Sequence, residues 1–300
     1  MLRRLALLLP LALLGCGLFR RPPPQPAPRP AYVVGPAYQA GGVWRYPRED
    51  FQYDATGLAE ALPEGTGLVA DGEAFDGTAM AGAHPTLQLP VIARVTNLQT
   101  GLQALVRIND RGPANPARLL GLTARAADWL GLVPGKPTRV RMQVDEVMSQ
   151  ALRDQLQANA ADVDAAPRGA PRGAVSAEAL TPPPGVGQSS RGQTVAAARP
   201  DSGPVERAAT VPDRLPDQAM QVPADRGQLW IRAGEFGRAA YANQVQARLP
   251  GLPTGVEHVR QGRSEVFRVR AGPFADVAAA DSALDQAMRA GVTDARIVVE

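Results

Sequence analysis

Few side chains in this 300-residue chain could do chemistry. Over its first globular stretch, residues 31–147, the candidates are Glu73 in ADGEAFDG, His84 in AGAHPTLQLP and Asp110 at the end of ALVRIND. A carboxyl group at the edge of a groove can give a proton to an oxygen leaving group and take one back, and a nearby imidazole can orient it. Other chemistries are closed off. Two histidines, His84 and His258, cannot make a multi-histidine metal centre, and the single cysteine, Cys16, sits in the N-terminal leader. The stretch holds no G-x-S-x-G turn, no serine before Ser149 and no Gly-rich phosphate loop. No cofactor and no metal are implied. Spacing alone does not separate a site from bland alternatives. An Asp in N-D-R-G-P is a turn former more often than a catalyst, Glu73 alone reads as a surface acid, and a lone loop histidine is usually structural.

The elements that must position these residues read as short strands between Gly-rich turns: GTGLVA, VIARVTNL, ALVRIND and TRVRMQVDEV. One short helix stands out from Ala124 to Leu130, with Thr123 as its N-cap and Gly131 just past its end. Many short strands with one helix predict a small all-β barrel over residues 31–147. Met148, Leu152 and Leu156 lie four apart, so residues 148 to about 160 could continue as a helix. The segment 148–225 as a whole, rich in Ala, Pro, Gly and Arg, reads as a flexible linker whose function is reach.

Residues 226–300 repeat internally. LWIRAGEF echoes FRVRAGPF, and each copy runs into a helical pattern and a closing strand, VEHV or ARIVVE. Tyr241, Val245 and Leu249 mark the first helix; Val277, Ala280, Leu284 and Met288 mark the second. Two βαβ units predict an α+β (split βαβ) sandwich with helices on one face of a four-stranded sheet. Strand alternation sends Ile231, Ala233, Val269 and Ala271 toward those helices. It sends Trp230, Arg232, Arg268 and Arg270 together to the open face, a candidate binding surface.

The net charge of +3 and pI of about 9.4 come from arginines scattered among 29 acids, with Lys136 the only lysine. A nucleic-acid binder would cluster them, so no nucleic acid is expected as a partner. The first sixteen residues, MLRRLALLLPLALLGC, combine a basic start with an apolar run too short to span a bilayer. They read as a lipoprotein signal peptide ending in a lipobox, with lipidation expected on Cys16. No intramolecular disulfide can form from one cysteine. Gly17, in place of an Asp, favours outer-membrane anchoring, and the Pro-rich residues 17–30 form a semi-rigid spacer.

Residues 31–135 resemble the rare lipoprotein A family on quotable runs. Gly72-Glu73-Ala74-Phe75-Asp76 looks like that family's N-G-E-x-F-D loop, and Ala83-His84-Pro85-Thr86-Leu87 like its A-H-x-T-L. Val95-Thr96-Asn97-Leu98 and Arg107-Ile108-Asn109-Asp110-Arg111-Gly112-Pro113 follow its V-T-N-L and R-V-N-D-R-G-P; the tail 226–300 looks like a SPOR domain. The resemblance implies a double-psi β-barrel with one short helix, a linker and a SPOR domain. It also implies lytic transglycosylation of peptidoglycan strands that lack stem peptides. There the sugar's own C6 hydroxyl attacks, giving a 1,6-anhydro end, and one acid that then serves as base can be enough. By carry-over Glu73, His84 and Asp110 form the catalytic site, with either carboxylate as the acid/base and His84 orienting. The implied partners are glycan strands, the membrane through Cys16, and divisome proteins. The implied location is the periplasmic face of the outer membrane at the division septum. The alternative is a non-catalytic glycan-binding outer-membrane lipoprotein. Three departures bear on this: Ala59-Glu60-Ala61-Leu62-Pro63 stands for A-S-W-Y-G, Ala114 for a Phe, and Gly121 for the Asp of R-I-I-D-L-S. Whether Glu60 or another acid replaces that Asp is left open.

Overall fold

The computed structural model describes residues 27–165, 211–261 and 264–300. The leader with Cys16, most of the Pro-rich spacer and residues 166–210 lie outside the described residues. A small hairpin comes first, β1 (Tyr38–Ala40) and β2 (Val43–Arg45). Then follow β3 (Asp54–Ala61), β4 (Ala81–Ala83), β5 (Val91–Asn97), β6 (Leu102–Asp110), β7 (Leu120–Leu122), α1 (Ala124–Trp129), β8 (Thr138–Val144) and α2 (Glu146–Ala165). After residue 210 come β9 (Met220–Gln221), β10 (Leu229–Phe236), α3 (Ala239–Ala247), β11 (Thr254–Gln261), β12 (Ser264–Phe274), α4 (Val277–Arg289) and β13 (Arg296–Val299).

Strands β3 to β8 close on themselves in the order β4-β7-β3-β8-β5-β6, and a parallel β4–β6 pairing shuts the ring. A second parallel pair, β3–β7, sits among antiparallel neighbours. This is the closed barrel expected of a double-psi fold. Closure removes the sheet edges and fills the interior with apolar side chains, among them Val91, Ile92, Val106, Ile108, Leu120, Leu122 and Met142. VIARVTN and LQALVRIND are β-branched and alternating enough to be legible. By contrast, GTGLVA is not a strand. Leu68 makes one bridge to Ala74, and Gly67, at φ +100°, turns the chain into a loop. Three strands in DATGLAEA, AGA and LGL carry no period of their own and are held by partners on both sides. The short helix is as expected: Thr123 Oγ accepts from the Ala126 N–H, and Gly131, at φ +67°, takes the left-handed turn after it.

The linker expected over 148–225 is narrower. Helix α2 begins where the Asp145 carboxylate accepts from the Met148 N–H, and Ser149 Oγ bonds both N and O of Ile92. Leu152 and Leu156 are buried against the barrel, since a helix with apolar residues four apart presents a stripe that must be covered. Leu152→Ala is expected to cost about 2–3 kcal/mol in urea unfolding. An effect near zero would mean a helix free of the barrel. On the far side of residues 166–210 the chain is packed again. Val211 and Leu215 are buried in the same core, and β9 pairs with β6. Prolines 212 and 216 disguise this strap as more linker.

The C-terminal sheet runs β11-β12-β10-β13, all antiparallel, with α3 and α4 on one face. Ile231, Ala233, Val269 and Ala271 are buried beneath them, as alternation requires. On α3 the buried residue is Ala242, and Tyr241 is more than half exposed. Trp230, Arg232, Arg268 and Arg270 lie on the other face but are largely covered, each of the three arginine side chains no more than a third exposed. Arg270 stacks over the Trp230 ring at 4.5 Å, and the three arginines pair with Glu235, Glu257 and Glu300. That face is an ion-paired lattice around one aromatic, rather than a bare basic patch.

The two domains touch. Leu58, Leu98 and Ala117 of the barrel join the apolar core that includes Leu229, Ile297 and Val299. Thr56 Oγ exchanges hydrogen bonds with the Val299 backbone. Arg118 binds Asp281 on α4 through two hydrogen bonds of 2.8 and 2.9 Å and lies 3.5 Å from Glu60.

Candidate active site

Strand β6 and the loop after β3 build the site. Along β6, Arg107 and Asn109 share a face while Ile108 points into the core. Both polar side chains converge on Glu73. Arg107 donates to one carboxylate oxygen and Asn109 Nδ2 to the other at 2.8 Å. The loop is fixed from below. Glu73 N–H donates to Asp71 Oδ1 at 2.9 Å, Asp71 N–H to the Asn109 carbonyl, and Gly72, at φ +87°, leaves no room for a side chain against the Arg29 carbonyl. Asp110 ends β6, where its Oδ1 accepts from the backbone N–H groups of Ala70 and Arg111 at 3.0 and 2.7 Å. Glu73 and Asp110 line one pocket of about 200 Å³ with Arg107, Asn109, Thr123 and Leu62. Arg214 and Leu215, from the strap before β9, wall it on one side.

His84 does not join them in that pocket. It lies at the base of a separate cleft of about 360 Å³ between barrel and C-terminal domain, beside Tyr53, Trp44, Tyr46 and Arg296. The residue as a whole is 1% exposed. Nδ1 accepts from the N–H groups of Thr86 and Leu87, so Nε2 carries the proton and donates to Tyr53 Oη at 3.1 Å. Burial and then the nearby Arg111, Arg45 and Arg48 push this histidine down to about 3, which keeps it neutral. What links His84 to the carboxylates is backbone: its N–H donates to the Asp110 carbonyl at 3.0 Å.

Sequence reasoning missed Asp71, Arg107 and Asn109. The alternation R-x-N in ALVRIND was a usable signal for the last two. For Asp71, buried two residues before Glu73, no periodic signal exists. Burial, and then the charge of Glu73, raise its carboxyl to about 7.

Gly121 is packed shut. A Cβ there would lie 2.4 Å from Leu62 Cδ2 and 3.3 Å from Pro113 Cγ, and Leu62 itself lines the pocket. Glu60, its register partner across β3–β7, is turned toward Arg118. Gly121→Asp should therefore cost about 1–3 kcal/mol by overpacking. Adding Leu62→Ala should recover most of that loss, a coupling that urea unfolding of the four proteins reads directly. Strict additivity would show that the two positions do not compete for space. Among the described residues no group of three His, Cys, Asp or Glu is placed to hold a metal ion.

Residues 55–144 match the protein family described as Lytic transglycolase, and residues 225–297 match the SPOR domain family. The chain is similar to the endolytic peptidoglycan transglycosylase RlpA of Pseudomonas aeruginosa, 33% identical over 273 residues that cover 85% of this chain and 74% of that protein. It is similar too to the protein of the same name from Escherichia coli, 42% identical over 109 residues, 35% of this chain and 29% of that one. The crystal structure of the RlpA SPOR domain from Pseudomonas aeruginosa aligns with a TM-score of 0.23 at 20% identity, over 24% of this chain and 99% of that chain.

Proposed function

The chain belongs to the RlpA family, and we propose on that premise that it is an endolytic peptidoglycan transglycosylase that cuts glycan strands lacking stem peptides. The observation that carries the reading is the shared pocket of Glu73 and Asp110, with both Glu73 oxygens held by β6 side chains. Glu73 is assigned as the acid that protonates the leaving glycosidic oxygen. It then accepts the proton of the sugar's C6 hydroxyl as that oxygen bonds to C1, which leaves a 1,6-anhydro end and consumes no water. Asp110, fixed as an acceptor by two backbone N–H groups, faces the positive charge that develops on the sugar ring. His84 positions Asp110 through the backbone and takes no proton.

The SPOR domain binds glycan through the face of Trp230, Arg232, Arg268 and Arg270, and brings the enzyme to the division septum. Lipidation at Cys16 would anchor it to the periplasmic face of the outer membrane, where divisome proteins are within reach. These assignments rest on the L-L-G-C leader and the family pattern.

The deciding experiment incubates the protein with amidase-treated sacculi and looks for 1,6-anhydro ends by mass spectrometry. Their appearance is the expected result. Sacculus binding without anhydro ends would instead support the non-catalytic glycan-binding reading.

A further inference from the structure

The mechanism leaves one buried titratable group without a task. Asp71 is 2% exposed, and its Oδ2 is sealed from solvent with no hydrogen-bond partner among the described residues. Its other oxygen is tied to the backbone N–H of Glu73 at 2.9 Å, so the two carboxyl groups belong to one rigid turn. Facing Asp71 are Glu73 from its own loop and Arg107 from β6; the segment 29–31 meets this loop through backbone hydrogen bonds. The charge count is decisive. Two carboxylates and one guanidinium leave a net charge of minus one on a cluster of which Asp71 and Arg107 are buried and Glu73 is partly exposed to the pocket, and a lone ionised oxygen of Asp71 without a donor is the costly element. One proton makes the cluster neutral. Asp71 Oδ2 is where it fits, because both oxygens of Glu73 already accept from Arg107 and Asn109.

Resting on the transglycosylase reading above, we propose that Asp71 is a positioning residue that stores the catalytic proton: Asp71 and Glu73 hold one proton between them, on Asp71 at rest and on Glu73 when substrate docks. Substrate binding draws Arg107 or Asn109 off Glu73 or desolvates it, and the proton crosses within the turn. Glu73 then passes it to the leaving oxygen as the C1–O bond breaks. The C6 hydroxyl returns one proton to the pair as its oxygen bonds to C1, so the inventory closes. The strong upward displacement of the Asp71 carboxyl is consistent with such a store. The second carboxyl that Gly121 does not provide is thus supplied from the other side of Glu73.

The test is Asp71→Asn in the full chain, which keeps shape and removes the proton. Rates of anhydro-end formation on stem-peptide-free glycan are compared from about pH 4 to about pH 9. The variant should lose about tenfold or more in kcat near neutrality with KM little changed, and recover much of it near pH 5, because the basic limb of its profile moves acidic by at least about one pH unit. A profile of unchanged shape, or a uniform loss at every pH, overturns the proposal. A second measurement needs no activity. A raised carboxyl makes the folded state bind the extra proton, so the stability that Asp71 contributes is lost as pH rises from about pH 4 to pH 7, and the melting temperature of Asp71→Asn should climb relative to wild type across that window. Equal slopes in the two proteins also overturn the shared proton. If wild type makes no anhydro ends while the slopes differ, the transglycosylase reading fails and the stored proton stands.

Discussion

Glu73→Gln is expected to remove anhydro-end formation almost completely, by about 10²–10⁴-fold or more, while the protein stays folded and still binds sacculi. The argument is geometric. The carboxyl lines the pocket, and its two oxygens are held by Arg107 and Asn109 rather than by mobile solvent. An amide of equal size can keep one acceptor in place and can neither give nor take the proton. Folding should survive because Asp71 can ionise beside Arg107 once its neighbour is neutral, so the guanidinium is not stranded. Anhydro-end yield by mass spectrometry and sacculus pull-down on the same preparation check both halves. Activity close to wild type would move the acid/base role to Asp110, where Asp110→Asn is the matching variant.

His84 should dominate the acid sensitivity of the fold. The unfolded chain protonates this imidazole below about pH 6.5, while the folded chain holds it neutral down to about pH 3. The unfolded state therefore binds more protons across that window, and stability falls as pH falls through it. The full displacement corresponds to at most about 5 kcal/mol. Asp71 works in the opposite direction between about pH 4 and pH 7, so the observed wild-type slope is the difference of two opposed terms. Comparing wild type with His84→Gln by urea unfolding at each pH isolates the histidine. The curves should converge as pH drops, since the variant has no imidazole to charge. Parallel curves would mean that two backbone donors on Nδ1 do not keep the ring neutral. At neutral pH the variant should be the less stable protein, having lost the Nδ1 contacts that shape the turn at Pro85–Leu87.

What could be read ahead of the structure was whatever is local and periodic. Strands β5 and β6 show it through β-branched alternation, α1 through Thr123 and Gly131, and the C-terminal domain through its repeated strand-Gly-x-Phe. Glu73 and Asp110 were named from loops and found in one pocket. His84 was named with them, yet its ring opens on a different cleft, because the direction of a side chain at a strand end is set by the turn it caps. The partners of Glu73 lie 34 and 36 positions away on β6, a juxtaposition that only barrel closure creates. The strap at 211–221 was invisible for a different reason. Its composition matches the segment before it, and two buried side chains, Val211 and Leu215, decide its place. Gly121 was noticed as a missing acid. That Leu62 occupies its space follows from the register of β3 on β7 and from nothing nearer in sequence.

The strap also changes what residues 166–210 connect. Before residue 166 the chain is packed on the barrel through Leu152 and Leu156, and after residue 210 it is packed on the same core through Val211 and Leu215. The true connection between the domains is residues 222–228, from the end of β9 to the start of β10, which spans at most about 25 Å. Part of it is pinned by Arg139 to the carbonyls of Arg226 and Gly227. On the proposed function, a glycan strand held by the C-terminal domain would meet the barrel at an offset set by this short connection, and the position of the cut along the strand would follow from that distance.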